Sequence, residues 1–126
     1  MTERLQIGEV SARTELSIKT IRHYDDVGLV TPSARSAGGF RLYTADDVER
    51  LLTIRRMKPL GFTLDEMRDL LAALDTLADP TATPARRDDA TTHLADCHAR
   101  AQQACADLAR HLAYARELTD RLARYR

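Results

Sequence analysis

The most informative absences in this sequence are of long apolar runs and of cysteine. The 126 residues contain no run of eighteen apolar residues, so no candidate for a membrane-spanning helix exists. The first ten residues lack the basic-then-apolar layout of a secretory signal. Two cysteines are too few for the disulfide framework of a small secreted domain. We therefore expect a cytoplasmic protein with no membrane among its partners.

Motifs typical of enzymes are also absent. The sequence has no glycine-rich phosphate loop, no HExxH pair and no Ser-His-Asp spacing. Adjacent acids, at 25–26, 46–47 and 88–89, fall at predicted helix ends or near a linker, where they favour the helix dipole or solubility. We expect neither an enzymatic activity nor a cofactor.

Charge of one sign is not in excess, since nineteen Lys and Arg balance nineteen Asp and Glu. A zero net charge argues neither for nor against a polyanionic partner. Several cations are nevertheless clustered within one forty-residue stretch: Lys19, Arg22, Arg35, Arg41, Arg55, Arg56 and Lys58. Such clustering is typical of a surface that binds DNA.

Two short helices are predicted within residues 7–27. Val10 lies on the apolar side of the first. Ser17 is a good N-cap for the second, because its hydroxyl can accept a hydrogen bond from a first-turn amide. Gly28 follows the second helix, where a left-handed residue is common. Two helices joined by about three residues are a candidate helix-turn-helix.

The second helix divides its residues between the core and the surface. Ile18 and Ile21 are predicted to face the core. The outward set combines cations, a hydroxyl, an imidazole and a marginal phenol: Lys19, Thr20, Arg22, His23 and Tyr24. Cations neutralise phosphates, and Thr20 and His23 suit base edges or phosphates in a major groove. A solvated basic helix is the alternative, but the segment that follows favours DNA binding.

That segment, residues 34–43, is predicted to be a small hairpin. A glycine pair excludes a helix, and the residues after it alternate with period two. Phe40 and Leu42 are predicted to form an apolar underside, while Arg41 and Tyr43 face outwards. We interpret the hairpin as a wing beside the second helix.

A further pair of helices is predicted at 45–58 and 64–74, because Thr44–Asp47 and Thr63–Glu66 each fit a capping box. Their predicted buried residues are Val48, Leu51, Leu52 and Ile54 in the first helix and Leu64, Met67, Leu70 and Leu71 in the second. Two prolines make 75–84 a predicted linker, so a first domain is expected to occupy 1–74.

Residues 85–126 are predicted to form one long helix, since the last forty residues contain neither Gly nor Pro. Small and apolar residues recur along it at three- and four-residue steps: Leu94, Cys97, Ala101, Ala104, Leu108, Ala115, Leu118 and Leu122. A helix over 94–122 is about 42 Å long, too long to pack entirely on the preceding domain. The simplest partner for this apolar seam is a second copy of the chain.

Five motifs follow one another in the sequence: "IGEV" from residue 7, "SIKTIRHY" from 17, "GLVTP" from 28, "GFRLY" from 39 and "LGFTLDE" from 60. Together they resemble the DNA-binding domain of the MerR family of bacterial transcription regulators, over residues 5–71. The resemblance is to a short form without a separate effector domain. It implies a mostly α fold, in which a winged helix-turn-helix domain precedes a long C-terminal dimerisation helix that forms an antiparallel coiled coil.

The resemblance also implies a function. A homodimer is expected to bind an inverted repeat in double-stranded promoter DNA, and to distort the promoter spacer so that RNA polymerase engages both promoter elements. The motifs carry over a set of DNA-binding residues: Lys19, Arg22, His23 and Tyr24 in the recognition helix, Arg35, Arg41 and Tyr43 in the wing, and Lys58 after the third helix. Ser17 and Thr20, from the argument on the helix itself, complete the predicted DNA-binding set. Dimerisation is assigned to Leu94, Ala101, Leu108, Ala115, Leu118 and Leu122. His23 stands where the family often has another aromatic residue, and Pro59 is expected to tilt Lys58.

Metal-sensing members of the family carry cysteines near the dimer helix, which raises the question of Cys97 and Cys105. Residues eight apart lie about 12 Å apart along a helix, so thiolate bonds of about 2.3 Å cannot join both to one metal within a chain. His93 and His98 lie four and seven residues before these cysteines, and a second chain can add ligands. We expect packing cysteines and no metal, with a metal or thiol sensor as an alternative.

Two other interpretations remain open. The same small winged domain occurs in architectural and recombination-directionality DNA-binding proteins. The terminal helix can also recruit another protein, which makes DNA binding secondary. The length of the terminal helix favours the dimeric regulator.

Overall fold

The computed structural model describes residues 3–126. Short strands and helices come first and one long helix comes last: β1 (Leu5–Gln6), α1 (Ile7–Thr14), α2 (Ile18–Asp26), β2 (Ala34–Arg35), β3 (Arg41–Tyr43), α3 (Ala45–Met57), a 3-10 turn (Lys58–Leu60), α4 (Leu64–Ala78) and α5 (Pro84–Ala123). The chain divides into two compact units, with the division between Ala72 and Ala73. The predicted fold class, a mostly α winged helix-turn-helix followed by a long C-terminal helix, is confirmed.

Local hydrogen bonds explain where the helices of the helix-turn-helix end. After α1 the chain turns at Glu15, whose φ is 60° and whose amide donates to the carbonyl of Ser11 at 2.9 Å. Ser17 is the predicted N-cap of α2, and its Oγ accepts from the amide of Thr20 at 3.1 Å. Gly28 has a φ of 70°, as expected for a residue that ends a helix.

The wing is a hairpin of β2 and β3, as predicted, to which β1 adds a third strand. The sheet order is β1-β3-β2 and both pairings are antiparallel. Arg35 pairs with Arg41 across the hairpin, and Gly39, with a φ of 83°, lies in the turn between the strands. The two-residue β1 was not predicted, because two residues are too few to show a period of two.

The core of the first unit is apolar and draws residues from almost every element: Leu5, Val10, Ile21, Tyr24, Leu29, Val30, Tyr43, Val48, Leu51, Ile54, Met57, Phe62, Met67 and Leu71. Four helical residues predicted to be buried are not: Leu52 and Leu70 are half-buried, and Ile18 and Leu64 are exposed. Ile18 is 38% exposed and Leu64 is 37% exposed. Ile18 and Leu64 are each the first residue of a helix, so they project past the end of the core even though their helical face is the apolar one.

Asp47 connects two parts of the first unit. Its side chain accepts from the amide of Thr44 at 2.9 Å, and Thr44 Oγ1 accepts from the amide of Asp47 at 3.2 Å, which completes the predicted capping box. The same Oδ2 accepts from both the amide and the hydroxyl of Ser33, at 3.1 and 2.7 Å. One carboxylate therefore joins the start of α3 to the connection between α2 and the wing.

Two arginines of the helix pair α3–α4 reach the ends of the helix-turn-helix. Arg55 donates to the carbonyl of Thr14, the last residue of α1, at 2.7 Å. Arg68 donates to the carbonyl of Val27, which ends α2, at 2.9 Å. Cations are favourable at helix C-termini, where carbonyls lack intrahelical partners. Each helix of the motif is thus closed by a donor from elsewhere in the unit.

The predicted linker is shorter than expected. α4 continues to Ala78, because the first helix-breaking residue is Pro80, and α5 begins at Pro84, so five residues assigned to the linker are helical. Asp79 Oδ1 then accepts from the amide and hydroxyl of Thr81 at 2.8 and 2.7 Å. These bonds hold the pKa of Asp79 below its ordinary value. Thr83 caps α5 by accepting from the amide of Arg86 at 3.2 Å.

Candidate nucleic-acid interface

The recognition helix α2 presents its cations to solvent and its large apolar groups to the core. Lys19, Arg22 and His23 are exposed. Ile21 and Tyr24 are 0% and 3% exposed, which fixes the rotation of the helix on the first unit. Basic side chains on one exposed face, held by a packed opposite face, are what a helix needs to enter a DNA groove.

Ser17 and Thr20 serve the helix start as well as its surface. Besides capping α2, Ser17 donates its own hydroxyl to Thr20 Oγ1 at 2.8 Å. Thr20 is half-buried. A contact of either hydroxyl with DNA is therefore made by a side chain whose orientation the cap already sets.

Tyr24 combines a buried ring with a phenol that stays protonated. Burial raises the pKa of Tyr24 above its ordinary value near 10. Its ring lies 6.0 Å from that of His23, at an interplanar angle of 44°. The sequence prediction of a packed ring is confirmed, and the predicted contact of its hydroxyl with a phosphate stays a prediction.

Ile18 is a surface residue that the sequence argument assigned to the core. It lies in the first turn of α2, between Ser17 and Lys19, where recognition helices commonly contact base edges. An exposed branched side chain there can contact the methyl group of thymine. The signal that identifies it is its position at the first residue of the helix.

The wing cations lie against an acid of the recognition helix. Arg41 Nε donates to Asp25 Oδ2 at 2.7 Å, and Arg35 Nη2 lies 3.5 Å from the same oxygen. The carboxylate of Asp25 raises the pKa of Arg41, chiefly through this hydrogen bond. Arg41 also lies 4.0 Å from Asp26. The predicted DNA-binding cations are brought together with α2, and Asp25, which the prediction left out, is what joins them.

The predicted orientation of the wing is wrong for its aromatic residues. Tyr43 is fully buried at 0% exposed, while Phe40 is 68% exposed. Tyr43 pairs with Leu5 of β1, so the strand that the sequence did not predict turns this face of the wing into core. The Tyr43 hydroxyl is buried without a hydrogen-bond partner among the described residues. Tyr43 is therefore not an exposed residue of the wing, and Phe40 is its exposed aromatic; a contact of Tyr43 with DNA stays a prediction.

A small cleft brings the recognition helix and the wing to one opening. Its volume is about 120 Å³ and its lining includes Arg22 of α2 together with Phe40 and Arg41 of the wing. Two guanidinium groups beside one opening suit a phosphate group, which accepts hydrogen bonds on several oxygens.

Lys58 is exposed directly after α3, as predicted for the basic end of that helix. Its backbone angles are helical, with φ −57° and ψ −48°. The backbone at Lys58 therefore continues from α3 into the 3-10 turn, and the predicted tilt by Pro59 stays a prediction.

The thiols of α5 lie among few potential metal ligands. Cys97 Sγ is 3.7 Å from His93 Nε2, one helical turn away. No cluster of three or more His, Cys, Asp or Glu side chains positioned for a metal occurs within residues 3–126. His98 and Cys105 are exposed, and Cys97 is half-buried. The described chain therefore offers at most an incomplete ligand pair.

The predicted seam of α5 changes character along the helix. Leu94 and Ala101 are half-buried in the single chain. Leu108, Leu118 and Leu122 are 46%, 57% and 55% exposed. Ala115 is exposed as well. None of the helices described over residues 3–126 is long and apolar enough to cross a lipid bilayer.

Comparisons with known proteins agree with this geometry. The profile of the MerR HTH family regulatory proteins matches residues 5–74, and that of the MerR DNA-binding region matches residues 48–113. The regulator CueR of Yersinia pestis is 46% identical over 68 residues, which are 54% of this chain and 49% of that protein. CueR of Salmonella typhi is 30% identical over 118 residues, which are 94% of this chain and 76% of that protein. The chain thus spans about half the length of the Yersinia relative.

Solved structures give the same result. A transcription regulator of Ralstonia metallidurans, solved in complex with lead(II), is 34% identical, with a TM-score of 0.56 over 92% of this chain and 84% of its own. HiNmlR, a MerR family regulator lacking the sensor domain and bound to promoter DNA, has a TM-score of 0.67. It is 21% identical over 88% of this chain and 80% of its own, and supports the fold alone. The chain belongs to the MerR family of DNA-binding helix-turn-helix regulatory proteins.

Proposed function

We propose that this chain is a sequence-specific regulator of transcription that binds, as a homodimer, an inverted repeat in promoter double-stranded DNA. The observation that carries the proposal is the surface of α2, on which Lys19, Arg22 and His23 are exposed beside a wing that contains two further arginines. Membership of the family supports the same assignment.

The chemistry of this surface suits a duplex. Lysine and arginine neutralise phosphates and release condensed counterions, which supplies most of the non-specific affinity. Ile18, Thr20 and His23 offer an apolar group, a hydroxyl and an imidazole, which can distinguish base edges in a major groove. Arg35 and Arg41 then hold the flanking backbone.

The second copy is argued from α5. Its apolar residues in the second half remain exposed in the single chain, and a stripe of this length marks an interaction surface. An antiparallel pairing of two α5 helices buries Leu108, Leu118 and Leu122 and separates two recognition helices by a fixed distance. An inverted repeat has the same two-fold symmetry.

Regulation by distortion of the promoter follows from such a rigid dimer. Bending or untwisting a site of this size costs several kcal/mol, on the order of 1–6. Phosphate contacts on two half-sites can offset that cost. The protein partner at the promoter is RNA polymerase, which engages both promoter elements once the spacer is distorted.

Selection of DNA from a random pool by the intact protein tests the proposal. We expect an inverted repeat, and binding that weakens as salt rises. Arg22→Ala should weaken operator binding and reduce the salt slope by about one unit, because one phosphate contact is lost. Arg116→Ala, at an exposed arginine of α5, is the matched control and should leave the slope unchanged. Selection of no common sequence contradicts the proposal, and an unchanged slope and affinity for Arg22→Ala removes Arg22 from the interface.

A second candidate is a response to a thiophilic metal. The separation of 3.7 Å between Cys97 and His93 favours it, and the Ralstonia relative was solved with lead(II). Because one chain supplies two such ligands, a partner chain has to complete the site. Titration of the dimer with lead(II), followed by the thiolate charge-transfer absorbance, tests this: a signal lost in Cys97→Ser but kept in Cys105→Ser supports a site at Cys97, and no signal excludes it.

A further inference from the structure

Asp25 occupies a position that the DNA-binding surface would not be expected to contain. It is an acid on the recognition helix, 13% exposed at its side chain, among residues proposed to meet a polyanion. A carboxylate facing phosphates is unfavourable, so its presence needs a reason other than DNA contact.

The contacts of Asp25 supply that reason. One oxygen, Oδ2, accepts the Nε–H of Arg41 at 2.7 Å and lies 3.5 Å from Nη2 of Arg35. These two arginines are opposite each other in the β2–β3 hairpin. Like charges directly opposite in a ladder are destabilising. Asp25 offsets that repulsion and connects the hairpin to α2.

The pairing leaves Arg41 able to bind something else. A guanidinium has five N–H donors in a fixed fork, and the short contact with Asp25 uses the Nε edge. Arg41 also lines the cleft that contains Arg22 of the recognition helix. A carboxylate on one edge therefore sets the direction in which the remaining donors point.

We propose that Asp25 is a positioning residue for DNA recognition. It orients Arg41 and Arg35 toward the backbone phosphates beside the recognition helix when the operator is bound, and it reduces the contribution of these two arginines to non-specific DNA binding. The proposal rests on the proposed function and adds a determinant of specificity to it. Asp25 itself contacts no DNA. Its effect is on the ratio of operator binding to non-specific binding.

Asp26 provides a matched control. It is the next residue on the same helix, but its side chain is 72% exposed and its contact with Arg41 is 4.0 Å long. Asp25→Asn and Asp26→Asn remove the same charge from adjacent positions. Any general electrostatic gain in DNA affinity is therefore common to both variants.

The experiment measures the affinity of the intact dimer for its selected operator and for a scrambled duplex of equal length, at several salt concentrations. For Asp26→Asn we expect both affinities to rise by the same small factor, so that the ratio is unchanged. For Asp25→Asn we expect non-specific affinity to rise, with a salt slope steeper by about one unit, and operator affinity to fall. The ratio should fall by about tenfold, equivalent to about 1.4 kcal/mol.

Two further variants separate positioning from general stability. Asp25→Glu keeps the carboxylate and should recover most of the lost ratio. In an Arg41→Gln background, Asp25→Asn should change the ratio little, because the residue through which it acts is gone. Thermal melting of each variant shows whether the fold is kept. If Asp25→Asn is unfolded, the test uses Asp25→Glu and the comparison of Arg41→Gln with the Asp25→Asn, Arg41→Gln double variant.

The outcomes are distinguishable from failure of the proposed function. If the wild-type protein selects no operator, the regulator proposal and this one fall together. If it selects one and Asp25→Asn gives the same ratio as Asp26→Asn, only the positioning role of Asp25 is overturned. A ratio that falls equally in the Arg41→Gln background also overturns it.

Discussion

The two compact units of this chain differ in how many of their residues are buried within the single chain. In the first, α2 and α3 have capped starts, and fully buried residues such as Val10, Ile21 and Leu51 lie in α1, α2 and α3. In the second, the forty residues of α5 are exposed over most of their length, and Ala90 is the buried residue of that helix. The first unit therefore buries a core of its own, whereas the second has a long helix whose apolar residues stay exposed in the single chain and are available for the proposed dimer.

The largest effect is expected from a charge placed in the apolar stripe of α5. We expect Leu108→Asp to weaken the dimer on the order of 100-fold or more, because an unpaired carboxylate in a packed seam costs about 3–5 kcal/mol. Ala106→Asp adds the same charge two residues away on the opposite side of the helix and should leave the dimer intact. Sedimentation velocity over a range of concentrations measures both. A dimeric Leu108→Asp protein means that the seam lies elsewhere.

The next largest effect belongs to the core of the first unit. Ile21→Ala removes a fully buried side chain and should lower the free energy of unfolding by about 2–5 kcal/mol. Ile18→Ala makes the same truncation three residues earlier, where the side chain is 38% exposed, and should cost less than about 1 kcal/mol. Urea unfolding compares the two. Equal losses contradict the division of α2 into a core side and a surface side.

A smaller effect tests the carboxylate that joins α3 to the wing connection. Asp47→Ala leaves the amide of Thr44 and both donors of Ser33 without their acceptor, at a cost of about 1–3 kcal/mol. Asp47→Asn keeps an oxygen that can accept, and should cost less. Thermal melting ranks wild type above Asn and Asn above Ala. If Asn and Ala are equally destabilised, the charge and not the hydrogen bonding is what matters.

The smallest expected effect concerns Tyr43. Because its hydroxyl is buried without a partner among the described residues, Tyr43→Phe removes a desolvation penalty and should leave stability unchanged or raise it by about 1 kcal/mol at neutral pH, with DNA affinity unchanged. If fluorescence anisotropy shows that Tyr43→Phe binds DNA more weakly than wild type, the Tyr43 hydroxyl contributes to DNA binding.

Alkaline pH should separate the stability of the wild-type protein from that of Tyr43→Phe. Burial raises the pKa of Tyr43 above its ordinary value near 10, so the folded state favours the neutral phenol. That contribution to stability is fully present below pH of about 10 and is lost as pH rises through the folded-state pKa. As pH rises above about 10, the wild-type protein should therefore lose stability faster than Tyr43→Phe. Tyr24, whose pKa is raised in the same direction, is common to both proteins.

Much of the first unit was predictable because short local rules decide it. Ser17 and the Thr44–Asp47 box begin their helices as predicted, and Gly28 adopts the left-handed conformation that the end of α2 requires. These are contacts within about four residues, which a sequence displays directly.

The wrong predictions concern residues whose burial or partners depend on contacts with distant parts of the sequence. Tyr43 is buried because it pairs with Leu5, thirty-eight residues earlier, and no local pattern reveals that pairing. Asp25 was assigned to the helix end, yet its partners Arg35 and Arg41 come from the wing. Periodicity gives the side of a helix but not where the core stops, which is why Ile18 was misplaced.

The bonds from Arg55 to Thr14 and from Arg68 to Val27 have a mechanical consequence. Each joins a guanidinium on one helix to a carbonyl at the end of another: Arg55 ties α3 to α1, and Arg68 ties α4 to the recognition helix α2. A rotation of α4 against α2 must break the bond from Arg68, and a rotation of α3 against α1 must break the bond from Arg55. Under the proposed function, a load on the bound duplex therefore passes from the recognition helix into α4.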